Sequence, residues 1–242
     1  MKRISYVLVS LFYLFYCSKS NGQKETSIVA DFKKMNEVYD QFNDVSVNVM
    51  YTLFSDYSTD KPIETKNGFY KKHNKLHLTK TDNIEMLQTP DYFIVKDSKN
   101  KKVLLSKPIS KFKPKLTLVA LDSMLSFCSK VKMTETKTQK MYKMHYDKLG
   151  LMGFEDVDIL MGKENYLIQK MVIYYIRPMQ KTEGKTEKTI RPRLEISFTD
   201  YSTKAQPSIL FSEHNYIKNT NNKFEVSSLC NGYSLINQLT KN

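Results

Sequence analysis

The stretch from Thr26 to Leu53, TSIVADFKKMNEVYDQFNDVSVNVMYTL, changes its hydrophobic period halfway along, and that change decides the fold class. In its first half Ile28, Val29, Phe32, Met35, Val38, Tyr39 and Phe42 recur every three or four residues. That spacing is an amphipathic helix over 26–42, with Thr26 or Ser27 able to cap it. In the second half Val45, Val47, Val49, Tyr51 and Leu53 alternate with polar residues, the period of a strand buried on one side. A helix leading directly into an amphipathic strand needs a sheet to pack on.

Downstream, short apolar runs follow closely: about 63–72, Leu76–Thr81, Ile84–Gln88, Tyr92–Val95 and Val103–Leu105. Asn74-Lys75, Asp82-Asn83, Thr89-Pro90-Asp91 and Asp97-Ser98-Lys99-Asn100 separate them, which describes an antiparallel meander. The prolines of Lys107–Lys115 interrupt it, and Leu116–Lys130 resumes helical spacing through Leu118, Leu121, Met124, Leu125 and Cys128. Strands return at Met141–Tyr146, Val157–Met161, Asn165–Ile176 and Leu194–Phe198, with Arg177–Thr189 as a polar hairpin loop. From about 201 the pattern loses regularity. The predicted class is α+β: a strongly curved antiparallel sheet, an unclosed β-barrel, with helices covering its concave face.

Upstream, Met1-Lys2-Arg3 precedes an apolar run from Ile4 to Tyr16 and the small residues Ser18, Ser20 and Gly22. This is the layout of a secretory signal over 1–22, too short to span a bilayer as a permanent helix. Export to the periplasm or outer membrane is expected, with 23–242 as a single β-rich envelope domain. Three fates are open: release after Gly22, lipid anchoring through Cys17, or retention as an uncleaved anchor. An oxidising compartment permits a Cys128–Cys230 disulfide, and two buried free thiols are the alternative.

The formal charge is +13, carried almost entirely by Lys, since Arg occurs only at 3, 177, 191 and 193. Scarce Arg argues against a nucleic-acid reader, because Arg supplies bidentate phosphate and base contacts. Scattered Lys suits a solvated surface with protected sheet edges, or peripheral contact with an anionic membrane.

Catalytic and metal-binding motifs are missing from the pattern. His73 and His77 are four apart, but on turn and strand rather than helix, where they would point to the same face with no acidic or Cys ligand beside them. Asp156 and Asp158 share a strand face and read as a solvated edge. No enzyme activity, cofactor or metal is expected. Instead, Val45, Val47, Val49, Tyr51, Leu76, Leu78, Met86, Phe93 and Val95, joined by Leu121, Met124 and Phe127, would line the concave face. They form either an apolar ligand cavity or an ordinary packed core.

The signal, the amphipathic helix, and the runs NGFYKKHNKLHL (67–78) and YFIVKDSKNKKVLL (92–105) together resemble the outer-membrane lipoprotein carrier (LolA/LolB-like) superfamily. The resemblance covers about 26–176, with Ser98 standing where that family's hairpin often reads Asp-Gly. It implies helices lidding an apolar cavity that holds the acyl chains of lipids or lipoproteins. The alternative is a non-enzymatic interaction or scaffold subunit of an envelope complex, with a packed core and a protein partner. RPRLEISFTDY (191–201) looks like a recurrent element of secreted bacterial proteins.

Overall fold

A computed structural model describes residues 27–108, 125, 127–147, 153–176, 179–183, 186–221 and 223–239. The signal segment 1–22, Cys17, Leu121 and Met124 lie outside them.

Helix α1 spans residues 27–41. Ile28, Phe32 and Met35 form its buried stripe, Tyr39 continues it, and Val29 turns outward. It hands over at once to β1 (Asp44–Phe54). A two-directional meander follows. From β1 the chain steps outward through β2 (Pro62–His73), β3 (Leu76–Thr81), β4 (Ile84–Gln88), β5 (Phe93–Asp97) and β6 (Lys102–Ser106). It reappears at the far edge as β7 (Lys130–Glu135) and steps inward through β8 (Gln139–His145), β9 (Phe154–Gly162) and β10 (Ile168–Tyr175). After the hairpin of β11 (Met179–Glu183) and β12 (Thr186–Ile190), β13 (Arg193–Ser202) pairs with β1 and joins the halves. So residues 179–183 and 186–190, expected mostly as part of a hairpin loop, pair as a two-stranded ribbon.

The outcome is a large curved twelve-stranded sheet, not closed into a barrel, in the order β16-β6-β5-β4-β3-β2-β1-β13-β10-β9-β8-β7. Every pair is antiparallel except β16 (Ser234–Asn237) on β6. The turn chemistry follows the sequence: Asn74 and Asp82 take positive φ in two-residue turns, a conformation that Asn and Asp tolerate best after Gly. At Gly68 the backbone of β3 comes so close that any Cβ would run into the Lys80 carbonyl oxygen.

Cross-strand partners show which residues share a face. Val47 pairs with Tyr70, then in turn Thr79, Met86, Val95, Leu104 and Ile236, a single row across seven strands. The neighbouring row, Leu78, Leu87, Ile94 and Leu105, points the other way. Two separate cores result. Under α1, Ile28, Phe32 and Met35 pack on Val45, Val47 and Val49 and on the inward residues of β8, β9, β10 and β13. On the opposite face, Leu78, Leu87, Ile94, Val103 and Leu105 are buried by Phe211, Tyr216, Ile217 and Cys230 of the C-terminal segment.

Several expectations are corrected here. The region beyond 201 is no loose extension. It forms short 3-10 turns and the hairpin of β14 (Ile217–Thr220) with β15 (Lys223–Val226), and its strand β16 joins the sheet. The expected central helix over 116–130 lies largely outside the described residues, with Leu125 and Phe127 described as helical, so α1 is the one helix seen over the sheet among the described residues. Cys128 and Cys230 are free thiols, because Cys128 packs on the core under α1 and Cys230 sits in the core on the other face. His73 and His77 face opposite ways, since their strands pair His73 with Leu76 and Lys72 with His77.

Candidate functional site

Two buried polar clusters hold α1 on the sheet. Asp31 is buried, and both its carboxylate oxygens lie 2.7 Å from Lys140 Nζ. Tyr142 donates its hydroxyl to Asp31 Oδ2 at 2.7 Å, and burial beside that carboxylate pushes its phenol up. At the other end, Ile168 N–H donates to the Tyr39 hydroxyl, and Tyr201 donates to the Ile168 carbonyl. Tyr201 thus has its proton engaged, which makes Tyr39 the donor in the 2.9 Å Tyr39–Tyr201 bond. A bulge explains how Tyr201 gets there. Ser46 pairs with Ser202 but Asn48 with Thr199, so β13 carries one extra residue and Asp200 adopts positive φ. Strict alternation from Phe198 would send Tyr201 to the other face; the bulge restores it to the α1 side.

The residues expected to line one cavity divide into groups. Val45, Val47 and Val49 are buried under α1, with Tyr51 packed beside them, in a filled core. Leu76 and Leu78 do not join them: they belong to the opposite face, Leu78 buried and Leu76 packed against it under the C-terminal cover. Met86, Phe93 and Val95 stay on the α1 face but beyond α1, half-buried, together with Ile84 and Leu104. None of these five is a member of either core. Phe127 is 46% exposed. His77 closes the row beside them, bonded to the Tyr70 hydroxyl at 2.8 Å; burial pushes its imidazole down to about 4, so it is neutral near pH 7.

A concave feature lies on the opposite face of β8, β9, β10 and β13: a cleft of about 310 Å³. Its floor is Leu160 and Val172, and its wall is Asp158, Tyr174, Arg193 and Glu195. Arg193 is buried and donates through Nη1 to the carbonyls of Asp56, Tyr57 and Thr59 at 3.2, 2.9 and 2.9 Å. Asp56 Oδ1 accepts the N–H groups of Ser58 and Thr59 in the same loop. The loop between β1 and β2 is thereby fixed, and it holds Tyr57 edge-on to Tyr174, centroids 5.1 Å apart, at the cleft's rim. Burial would raise the Glu195 carboxyl, but Lys170 and Arg193 outweigh it and hold it low. Asp158 behaves the other way: burial pushes its carboxyl up, and Lys143 and Tyr174 only partly offset that. Its side chain is 13% exposed, so the expected solvated edge is in fact a wall. The polar alternation of β9 and β10 was the available signal, but it resembles any wet sheet face.

Among the described residues no three His, Cys, Asp or Glu gather as a metal site, and no helix is long and apolar enough to cross a membrane.

No protein-family model and no curated protein matches the sequence. In structure, the chain is similar to an uncharacterized conserved protein from Thermus thermophilus, at 5% identity and a TM-score of 0.44, covering 85% of this chain and 98% of that one. It is similar to the lipoprotein LppX of Mycobacterium tuberculosis at 8% identity and a TM-score of 0.39, over 75% of this chain and 98% of that one. A LolA superfamily protein from Nitrosomonas europaea is also similar, at 11% identity and a TM-score of 0.32, over 74% of this chain and 96% of that one.

Proposed function

We propose that this chain is an exported, non-catalytic cell-envelope protein that binds the acyl chains of lipids or lipoproteins on the α1 face of β3–β6. One observation carries the reading: Ile84, Met86, Phe93, Val95 and Leu104 form a half-buried apolar surface that continues the core beneath α1 without belonging to it. Each methylene buried there contributes ~0.8 kcal/mol, so a long chain outweighs the cost of ordering it. The exposed Lys102 lies on the same face as Leu104 and offers a cation to an anionic headgroup. In this reading residues 1–22 direct export, and 23–242 work as one unit at the periplasmic or outer-membrane surface.

The test is titration of the delipidated protein with a fluorescent fatty acid. Saturable binding is expected, weakened at least ten-fold by Val95→Glu or Met86→Glu. Absence of saturable binding would sink the reading.

A second reading, a scaffold subunit with a protein partner, draws on the filled core around Val47 and on Ile209 and Leu229, both exposed on the C-terminal segment. Co-purification of one stoichiometric partner, lost on Leu229→Asp, supports it.

A further inference from the structure

We propose that the cleft on the face opposite α1 is a binding site for a small organic ammonium, with Asp158 as the counter-ion and Tyr57 and Tyr174 as the aromatic wall. This site is independent of the acyl-chain surface, which lies on the other side of the sheet.

The charge distribution selects the ligand. Of the cations in the wall, Arg193 is largely engaged: Nη1 goes to three loop carbonyls, Nε to Glu195 Oε1 at 3.1 Å, and Nη2 lies 3.9 Å from Asp60 Oδ1. Lys170 is paired with Glu195 Oε2. An anion entering the cleft would compete with Glu195 for Lys170 and Arg193 and would be repelled by the Glu195 and Asp158 carboxylates. Asp158 is in the opposite condition. Its two contacts, Lys143 Nζ at 3.5 Å and the Tyr174 hydroxyl at 3.4 Å, both fall on Oδ2 and both are long for hydrogen bonds. The Lys143 side chain is 62% exposed, so that ion pair is screened by water and weak. A nearly buried carboxylate with weak compensation is stabilised by any cation that reaches it.

The rest of the wall fits an ammonium rather than a bare metal ion. Tyr57 and Tyr174 present π-systems at right angles beside the carboxylate, and cations are attracted to such faces within about 6 Å. Val172, Leu160 and Met141 supply an apolar base for methyl or methylene groups. Metal ions take several oxygen ligands, and here only one carboxylate is lightly engaged. The volume, about 310 Å³, is at the small end of ligand pockets, the size of a headgroup or small metabolite rather than a chain. Because Arg193 locks the loop that carries Tyr57, the wall is preformed.

Titration calorimetry on the purified full chain tests this with three probes: choline, ethanolamine, and dimethylbutanol, the neutral carbon analogue of choline. Saturable binding of choline or ethanolamine is expected, with the neutral analogue at least ten-fold weaker. Asp158→Asn keeps the shape, and should weaken the bound amine roughly ten- to a hundred-fold while the thermal midpoint without ligand holds or rises. Tyr57→Leu is expected to weaken choline more than ethanolamine, since the quaternary group depends on the aromatic faces. The proposal is overturned if neither amine binds, if the neutral analogue binds as well as choline, or if Asp158→Asn binds as tightly as the parent. Fatty-acid binding by the same variants separates this result from the acyl-chain reading, because Asp158→Asn should leave it unchanged.

Discussion

The sheet has two wings, and they are buried on opposite faces. In the wing of β1, β13, β10, β9, β8 and β7, the covered face is the one under α1. In the wing of β3–β6 and β16, the covered face is the reverse side, under the C-terminal segment. Strand β2 is where the cover changes sides: Tyr70 belongs to the first core, while its neighbour Phe69 packs against the second. An amphipathic strand has one face to bury, and a long curved sheet can satisfy different strands with different covers. The lesson is that each wing leaves a distinct surface behind it. Behind the α1 wing lies a polar face with the Asp158 cleft; behind the C-terminal wing lies the half-buried apolar row of Met86 and Val95.

The strongest way to break this comparison is to place a charge on each face of one wing. Leu87→Glu, in the core under the C-terminal segment, should cost several kcal/mol and unfold the chain in urea, because a carboxylate there has no partner. Val95→Glu, on the neighbouring strand but the opposite face, should cost under about 1 kcal/mol and instead remove acyl-chain binding. Equal destabilisation by the two would show that both faces of this wing are core.

The independence of the wings comes next. Phe32→Ala should cost about 3–5 kcal/mol and Leu87→Ala about 2–5 kcal/mol, each leaving a cavity in its own core. With no shared neighbours, the double variant should equal their sum to within about 0.5 kcal/mol in denaturant midpoints. A larger coupling would mean the two cores act as one.

Asp31→Asn examines how α1 is seated. It leaves Lys140, whose side chain is 12% exposed, without its counter-charge, and should cost about 3 kcal/mol. Hydrogen exchange should then quicken in residues 27–41 and leave β3–β6 unaffected; quickening in both wings would contradict separate covers.

The smallest effect is a pH dependence confined to the C-terminal wing. His77 is held neutral by burial, with its imidazole pushed down to about 4. The unfolded chain binds a proton there near the ordinary imidazole value, and the folded chain does not. Stability from this site is therefore full above about 6.5 and declines as pH falls toward about 4. His77→Gln should flatten that decline in thermal midpoints measured across the window. An unchanged slope would place the titration elsewhere.

Much of this fold is legible in one dimension. The period change near Phe42 specifies α1 and β1, because side chains on a helix and on a pleated strand repeat differently along the chain. Asn74-Lys75 and Asp82-Asn83 specify tight turns, since Asn and Asp accept positive φ. Alternation also marks Val45, Val47 and Val49 as inward residues. What alternation leaves open is which of two faces is covered, and by what. Leu78 and Val95 have equivalent patterns, yet one lies under the C-terminal segment and the other is half-buried beyond α1. That difference arises from β13 pairing with β1 across more than half the chain and from β16 returning to β6, contacts with no local signature. The same holds for Cys128 and Cys230, kept apart by a sheet, and for Asp158, which lines a cleft together with Tyr57, Arg193 and Glu195 brought there by other strands and their loops. Period is a property of the chain, because it follows from backbone geometry residue by residue. Burial is a property of the assembly, because it needs a second surface brought from far along the sequence.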